Sequence, residues 1–192
     1  FAKSVNCMDR SESEPCEKCQ VCIEMNGGSF LDLIEIDAAS NRGIDEIRDL
    51  KEKIRFAPNL GRYKVYIIDE AHMLTEPAFN ALLKTLEEPP KHVIFILATT
   101  EIHKIPITIL SRCQRFDFHK VDSEKMFEGV KKIIVLENIK INDEDLRKII
   151  SISEGSMRDA LSYLDQLNSF SGGNIDSEIL ENILGYSKEE RL

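Results

Sequence analysis

Hydrophobic positions along this chain follow two different rhythms. Up to about residue 120, short apolar runs that suit strands alternate with stripes at helical spacing, and beyond it only the helical spacing persists. Leu31, Leu33, Ile34 and Ile36 predict a first strand. Ile44, Ile47, Leu50 and Ile54 share one face of a helix that starts near Gly43 and is ended by Pro58 and Gly61. Residues 64–68 predict a second strand. Phe79, Leu82, Leu83 and Leu86 supply the buried stripe of the next helix, with Thr75 as its cap, Pro77 in its first turn and Pro89-Pro90 as its stop. Residues 93–98 predict a third strand, 105–110 a short helical piece, and the alternation over 115–118 a last strand. After Val121, Phe127, Val130, Ile133 and Ile134 form one helical stripe; Leu146, Ile149 and Ile150 form another. Ala160, Leu161, Leu164 and Leu167 form a third, Gly172-Gly173 breaks the run, and Ile179, Leu180, Ile183 and Leu184 mark a final helix. Strands with helices, then helices alone, predict an α/β domain over 1–120 and a small all-helical domain over 121–192, with the boundary near 119–123.

Chemistry gathers where the strands end. Val65-Tyr66-Ile67-Ile68 runs straight into Asp69-Glu70, and ligands of open α/β sheets bind outside the carboxyl ends of the strands. Two acids there suit nucleotide hydrolysis, with Asp69 holding Mg²⁺ and Glu70 polarising an attacking water. A solvated turn after a strand is the plainer alternative. The neighbouring run, residues 93–98, ends in Thr99-Thr100.

Five stretches in order narrow this further: residues 35–45 (EIDAASNRGID), 65–72 (VYIIDEAH), 80–90 (NALLKTLEEPP), Ser111-Arg112-Cys113 and 155–159 (GSMRD). Together they resemble the AAA+ ATPases of the clamp-loader group, and most closely the family of bacterial DNA polymerase III gamma and tau subunits. The resemblance implies an AAA+ parallel sheet followed by a helical lid, with ATP and Mg²⁺ as ligands. It implies a sensor role for Thr100 ahead of Thr99, placing water near the γ-phosphate. Arg112 would be an arginine finger reaching into a neighbour's site, a task suited to a guanidinium that stays charged and forks onto phosphate oxygens; a surface salt bridge is its plainer alternative. Arg158 would be the lid arginine that senses the same subunit's nucleotide; a cap or an ion pair with Asp159 or Glu154 is its structural alternative. The partners implied are delta, delta-prime, further gamma/tau copies, the sliding clamp and primed DNA.

No G-x-x-x-x-G-K-[ST] phosphate loop occurs in the 192 residues, and the resemblance places Phe1 just after that loop, inside the helix it should open. The expectation is a fragment that is not competent alone. In the family's sheet the strand before the loop lies between two others, so the chain is expected to belong to a longer protein or to fill the gap by oligomerising. A delta-prime-type subunit, which need not hydrolyse ATP, is the main competing reading. A branch-migration helicase is a third, against which the cysteine array and the Leu-Glu-Glu-Pro-Pro phrase argue.

Composition adds bounds. With 42% hydrophobic residues the chain can build a substantial core, and no run approaches a membrane span, so a cytoplasmic protein is expected. A net charge of −9 argues against DNA binding by bulk charge, leaving only placed donors such as the Ser40-Asn41-Arg42 tip. Cys7, Cys16, Cys19 and Cys22 form a C-x8-C-x2-C-x2-C array that suits a tetrahedral metal better than disulfides. Zn²⁺ ordering an otherwise core-less loop is the expected ligand, and the gamma/tau resemblance implies such a module. A ferredoxin-type iron–sulfur run is the rival, although its fourth cysteine is misplaced. Cys113 is expected to be buried, and His72 to have a packing or hydrogen-bonding role.

Overall fold

The computed structural model describes residues 1–185. The chain divides into two compact units, one covering Phe1–Arg115 and the other beginning at Phe116. No helix among the described residues is long and apolar enough to cross a membrane.

The first unit opens with α1 (Ala2–Asn6) and α2 (Gln20–Asn26), followed by β1 (Leu33–Asp37), α3 (Ile44–Ile54) and β2 (Lys64–Asp69). Then come α4 (Glu76–Glu87), β3 (Val93–Leu97) and α5 (Ile107–Leu110). The three strands run parallel in the order β1-β2-β3, with Ile36 opposite Ile68 and Ile68 opposite Leu97. Parallel neighbours need a crossover, and α3 and α4 supply it. Side chains alternate across the pleat, so Ile34, Ile36, Tyr66, Ile68, Phe95 and Leu97 share one face. That face packs against Ile47, Leu50 and Ile54 of α3 and Ala78, Phe79 and Leu82 of α4. Each fully buried Ile or Leu there contributes about 1.5–3 kcal/mol by leaving water. Tyr66 and Phe95 stack with centroids 5.6 Å apart, locking β2 to β3.

Several boundaries differ from the pattern. β1 begins at Leu33 instead of Leu31, because the buried Asp32 turns its carboxylate to the loop ahead of β2 and Leu31 is exposed. Asp32 accepts from the backbone N–H groups of Asn59, Leu60 and Gly61 at 2.7, 2.8 and 2.9 Å. Thr75 occupies the cap position of α4 without a side-chain cap bond; its N–H instead donates to the Arg42 carbonyl. The helical piece near 105–110 is shortened to Ile107–Leu110, behind a 3-10 turn at Ile102–Lys104 and Pro106. The strand expected over 115–118 does not form, and Phe116 and Phe118 are 70% and 96% exposed. A strand exists only as part of a ladder, and among the described residues the segment 115–118 does not join the β1-β2-β3 sheet.

The second unit holds α6 (Ser123–Leu136), α7 (Asp143–Ile152), α8 (Met157–Ser171) and α9 (Ser177–Leu184). Asp122, Asn142, Ser156 and Asp176 cap them, each accepting a hydrogen bond from the first-turn backbone. Met126, Val130, Leu146, Ile149, Ala160, Leu164, Leu167 and Leu180 form the core. The buried Asp145 accepts from Asn142 and Lys148 and from Ser177, tying α7 to the start of α9. The Leu184 side chain, expected in the last stripe, and residues 186–192 of the expected helical domain lie outside the described residues.

Candidate active site and metal centre

The parallel register brings two strand ends to the same edge of the sheet. The Asp69 carbonyl accepts from Ala38 N at 2.9 Å, and Ala71 N donates to the Ala98 carbonyl at 2.9 Å, so pairing continues just past β2 on both sides. Between these bonds Glu70 adopts φ 45 and ψ 45. A left-handed backbone costs a non-glycine residue about 1–2 kcal/mol. The flanking bonds hold it there, together with Asp69 Oδ1 accepting Glu70 N at 2.9 Å and the Glu70 carbonyl accepting Met73 N at 2.8 Å. The turn separates the two acids. Asp69 is exposed, its Oδ2 without a partner among the described residues, whereas Glu70 Oε2 accepts a hydrogen bond from Thr100 Oγ1 at 3.2 Å.

Thr99 faces elsewhere: its hydroxyl lies 3.0 Å from His72 Nδ1 and accepts from Glu101 N at 3.0 Å. The adjacent Asp37 turn is closed on itself, with the carboxylate accepting Ala39 N and Ser40 Oγ, both at 2.7 Å. Those two donors hold the Asp37 carboxyl below its usual range, Ser40 contributing most. The Ser40-Asn41-Arg42 tip is consequently a preformed loop at the strand end.

Arg112 stands just beyond α5. Its guanidinium donates to the Thr108 carbonyl at 2.6 Å and to Glu87 Oε1 at 2.5 Å. Its partners are therefore Glu87, Thr108 and Ser111, and not the Asp69–Glu70 pair. Arg158 belongs to the second unit, exposed in the first turn of α8. Among the described residues its guanidinium has no ion pair, and Glu154 pairs with Lys120 instead. Sequence patterning did not single out Glu87 or Glu101 and left His72 a supporting role. Nothing local flags them, because the Glu87–Arg112 pair and the contact of His72 with Glu101 join separate segments.

The cysteine array converges as its spacing suggested. The Sγ atoms of Cys7, Cys16, Cys19 and Cys22 all lie within 4.8 Å of one another, with Cys7–Cys19 and Cys16–Cys22 at 4.0 Å and Cys19–Cys22 at 3.5 Å. A tetrahedron with metal–sulfur bonds of about 2.3 Å has sulfur–sulfur edges of about 3.8 Å, whereas a disulfide needs about 2.05 Å. The four thiols fit a metal ion and are free of disulfides. Backbone N–H groups support them: Cys16 N donates to Cys7 Sγ and Cys19 N to Cys16 Sγ, both at 3.3 Å. The backbone bond from Cys16 draws the Cys7 thiol below its ordinary value, and backbone bonds from Met8 and Cys22 draw Cys19 down to about 6. Burial pushes Cys22 up to about 12, the one ligand that most needs a cation's charge to lose its proton. Lys3 Nζ bridges Glu17 at 3.1 Å and Asn26 at 2.5 Å, stitching α1, the cysteine loop and α2 together. Asn26 and then Lys3 hold the Glu17 carboxyl below its usual range.

Comparison with known proteins assigns the fold and the family. The RuvB Holliday junction branch migration motor of Thermotoga maritima aligns over 86% of this chain and 55% of its own, with a TM-score of 0.65 at 17% identity. That match shows a shared fold and nothing finer. The tau subunit of DNA polymerase III from Bacillus subtilis is 58% identical over 90% of this chain and 31% of its own length. The tau subunit from Escherichia coli is 45% identical over 96% of this chain and 29% of its own, and a Buchnera aphidicola gamma subunit 43% identical over 99% and 53%. The chain thus spans about a third to a half of the curated relatives it matches. A family described as DNA polymerase III, delta subunit, matches residues 1–122, and one described as the DNA polymerase III clamp loader subunit, ATPase lid domain, matches 126–173. The chain belongs to the clamp-loader subunits of DNA polymerase III, in the company of the gamma and tau proteins.

Proposed function

We propose that this chain is the nucleotide-hydrolysing part of a gamma/tau-type subunit, acting in the cytoplasm within a clamp loader that places a sliding clamp on primed DNA. The observation that carries the reading is Glu70 bonded through Oε2 to Thr100 at the ends of two neighbouring parallel strands. A general base needs a fixed carboxylate with one oxygen left for water. Glu70 Oε1 has no protein partner among the described residues, which suits that task.

Asp69 would hold Mg²⁺, which supplies neutralisation of phosphate charge. A single exposed carboxylate fits an ion that keeps most of its shell for water and phosphate oxygens. Glu70 accepts the proton of the attacking water, and Thr100 keeps the carboxylate turned toward it. Arg112, already presented at the surface by Thr108 and Glu87, forks onto a phosphate in a neighbouring subunit's site. Arg158 takes its place on the γ-phosphate from the helical lid, the domain we assign to residues 121–192 beside an ATPase domain over 1–120. The four cysteines hold Zn²⁺, which supplies the folding energy for a loop that has no core of its own. Delta, delta-prime, other gamma/tau copies, clamp and primed DNA are the partners.

The test is ATP turnover by the full-length protein assembled with its partner subunits, clamp and primed DNA. Glu70→Gln and Arg112→Ala are each expected to lower kcat by on the order of a hundredfold or more. Turnover that survives Glu70→Gln would move hydrolysis to other subunits and leave this chain a structural member of the delta-prime type.

A further inference from the structure

His72 carries a contact pattern that packing does not explain. Its side chain is only 7% exposed, yet both ring nitrogens face acceptors from different segments. Nδ1 lies 3.3 Å from Glu70 Oε2 and 3.0 Å from Thr99 Oγ1, and Nε2 lies 3.1 Å from Glu101 Oε2. Glu101 is itself pinned, with Lys104 Nζ at 2.6 Å and its own N–H on Thr99 Oγ1. The ring thus joins the residue after β2 to the loop after β3.

We infer that His72 is a positioning residue for Glu70, an imidazole anchored on Glu101 that holds the base's Oε2 so that Oε1 points to water. This rests on the hydrolytic reading above. Two contacts converge on one oxygen: Thr100 Oγ1 donates to it at 3.2 Å, and His72 Nδ1 lies 3.3 Å from it. A carboxylate oxygen held by one hydrogen bond can still swing about it, whereas a second polar group packed against the same oxygen narrows that swing. The constraint matters here because the left-handed Glu70 backbone aims the side chain from a tight turn at the end of β2. Proton transfer to a base loses rate steeply when the base is misaligned, even where substrate binding is untouched. A histidine buried only for packing needs neither Glu70 nor Glu101.

Two substitutions separate these roles, because asparagine places its amide nitrogen near the site of Nδ1 and glutamine near that of Nε2. ATP turnover is measured with the full-length protein assembled with its partner subunits, clamp and primed DNA, and Glu70→Gln is run beside it. His72→Asn keeps a donor toward Glu70 and is expected to stay within about threefold of the parent kcat. His72→Gln keeps only the Glu101 side and is expected to lose about tenfold in kcat with the KM for ATP unchanged. Glu101→Gln, at a partly exposed position, is expected to lose about threefold in kcat by loosening the anchor. Equal kcat for the Asn and Gln variants, or an effect confined to KM, would overturn the inference. If Glu70→Gln abolishes turnover while His72→Gln does not, the hydrolytic reading stands and only this inference falls. If Glu70→Gln leaves turnover intact, both fall, since there is then no base to position.

Discussion

Asp32 offers the most direct test of how the first unit is held together. It is 1% exposed and its carboxylate accepts three backbone N–H groups, Asn59 on Oδ1 and Leu60 and Gly61 on Oδ2. Burial alone would raise its pKa, but these donors, with Lys64 behind them, hold the carboxyl below the usual range. Asp32→Asn keeps the shape and removes one acceptor. The amide oxygen can serve Leu60 and Gly61, but the amide nitrogen then meets Asn59 N, donor against donor. One charge-assisted bond is lost at about 1.5–3 kcal/mol, and the two others fall to neutral strength. Release of the buried charge offsets part of this, leaving a net loss of about 3 kcal/mol. Because the folded pKa is depressed, the contribution of Asp32 is fully present above the unfolded value of about 3.9 and is lost as pH falls through the folded one. Denaturant unfolding of the full-length protein should show a gap between parent and Asp32→Asn that is constant from about pH 8 to 5 and closes below about 4. Amide exchange at Asn59, Leu60 and Gly61 should accelerate in the variant before that of the core strands. A variant within about 0.5 kcal/mol of the parent at neutral pH, with those three amides unchanged, would refute the reasoning.

The metal centre and the sheet core yield further expectations. Elemental analysis of the full-length protein should find close to one zinc per chain bound by the cysteine array, absent from Cys16→Ser; iron with visible absorbance would indicate a cluster instead. Leu82→Ala, at a position with no exposure between α4 and the sheet, should destabilise the first unit by about 2–5 kcal/mol in urea unfolding. A loss under about 1 kcal/mol there would mean that the α4 face is not close-packed.

Much of this molecule could be read from local pattern. Most of the helices and strands that formed, α1 and α2 aside, carry an apolar stripe or run of their own, and such patterning is a property of neighbouring residues that needs no knowledge of the fold. The four cysteines were legible for the same reason: a short array brings its own ligands together, and the Sγ cluster follows from spacing and the α2 turn. Asp69-Glu70 and Thr99-Thr100 stood out because each sits where an apolar run stops. What the pattern could not decide was partnership. That Thr100 and not Thr99 meets Glu70 depends on the β2–β3 register, and a slip of one residue would exchange them.

The same limit explains the failures and the surprises. Residues 115–118 alternate like a strand, but alternation by itself does not build a ladder, and among the described residues this segment does not join the β1-β2-β3 sheet. Asp32 reads as a polar break in a strand until the loop 59–61 folds over it. Glu87 reads as one acid among many until α5 carries Arg112 to it, and His72 as a core histidine until Glu101 arrives from beyond β3. The sequence by itself determined most of the helices and strands and which residues carry charge, thiol or hydroxyl, because those are set within a few residues. Only the tertiary structure decided which of them touch, because contact between distant positions is fixed by strand order, register and the availability of an edge.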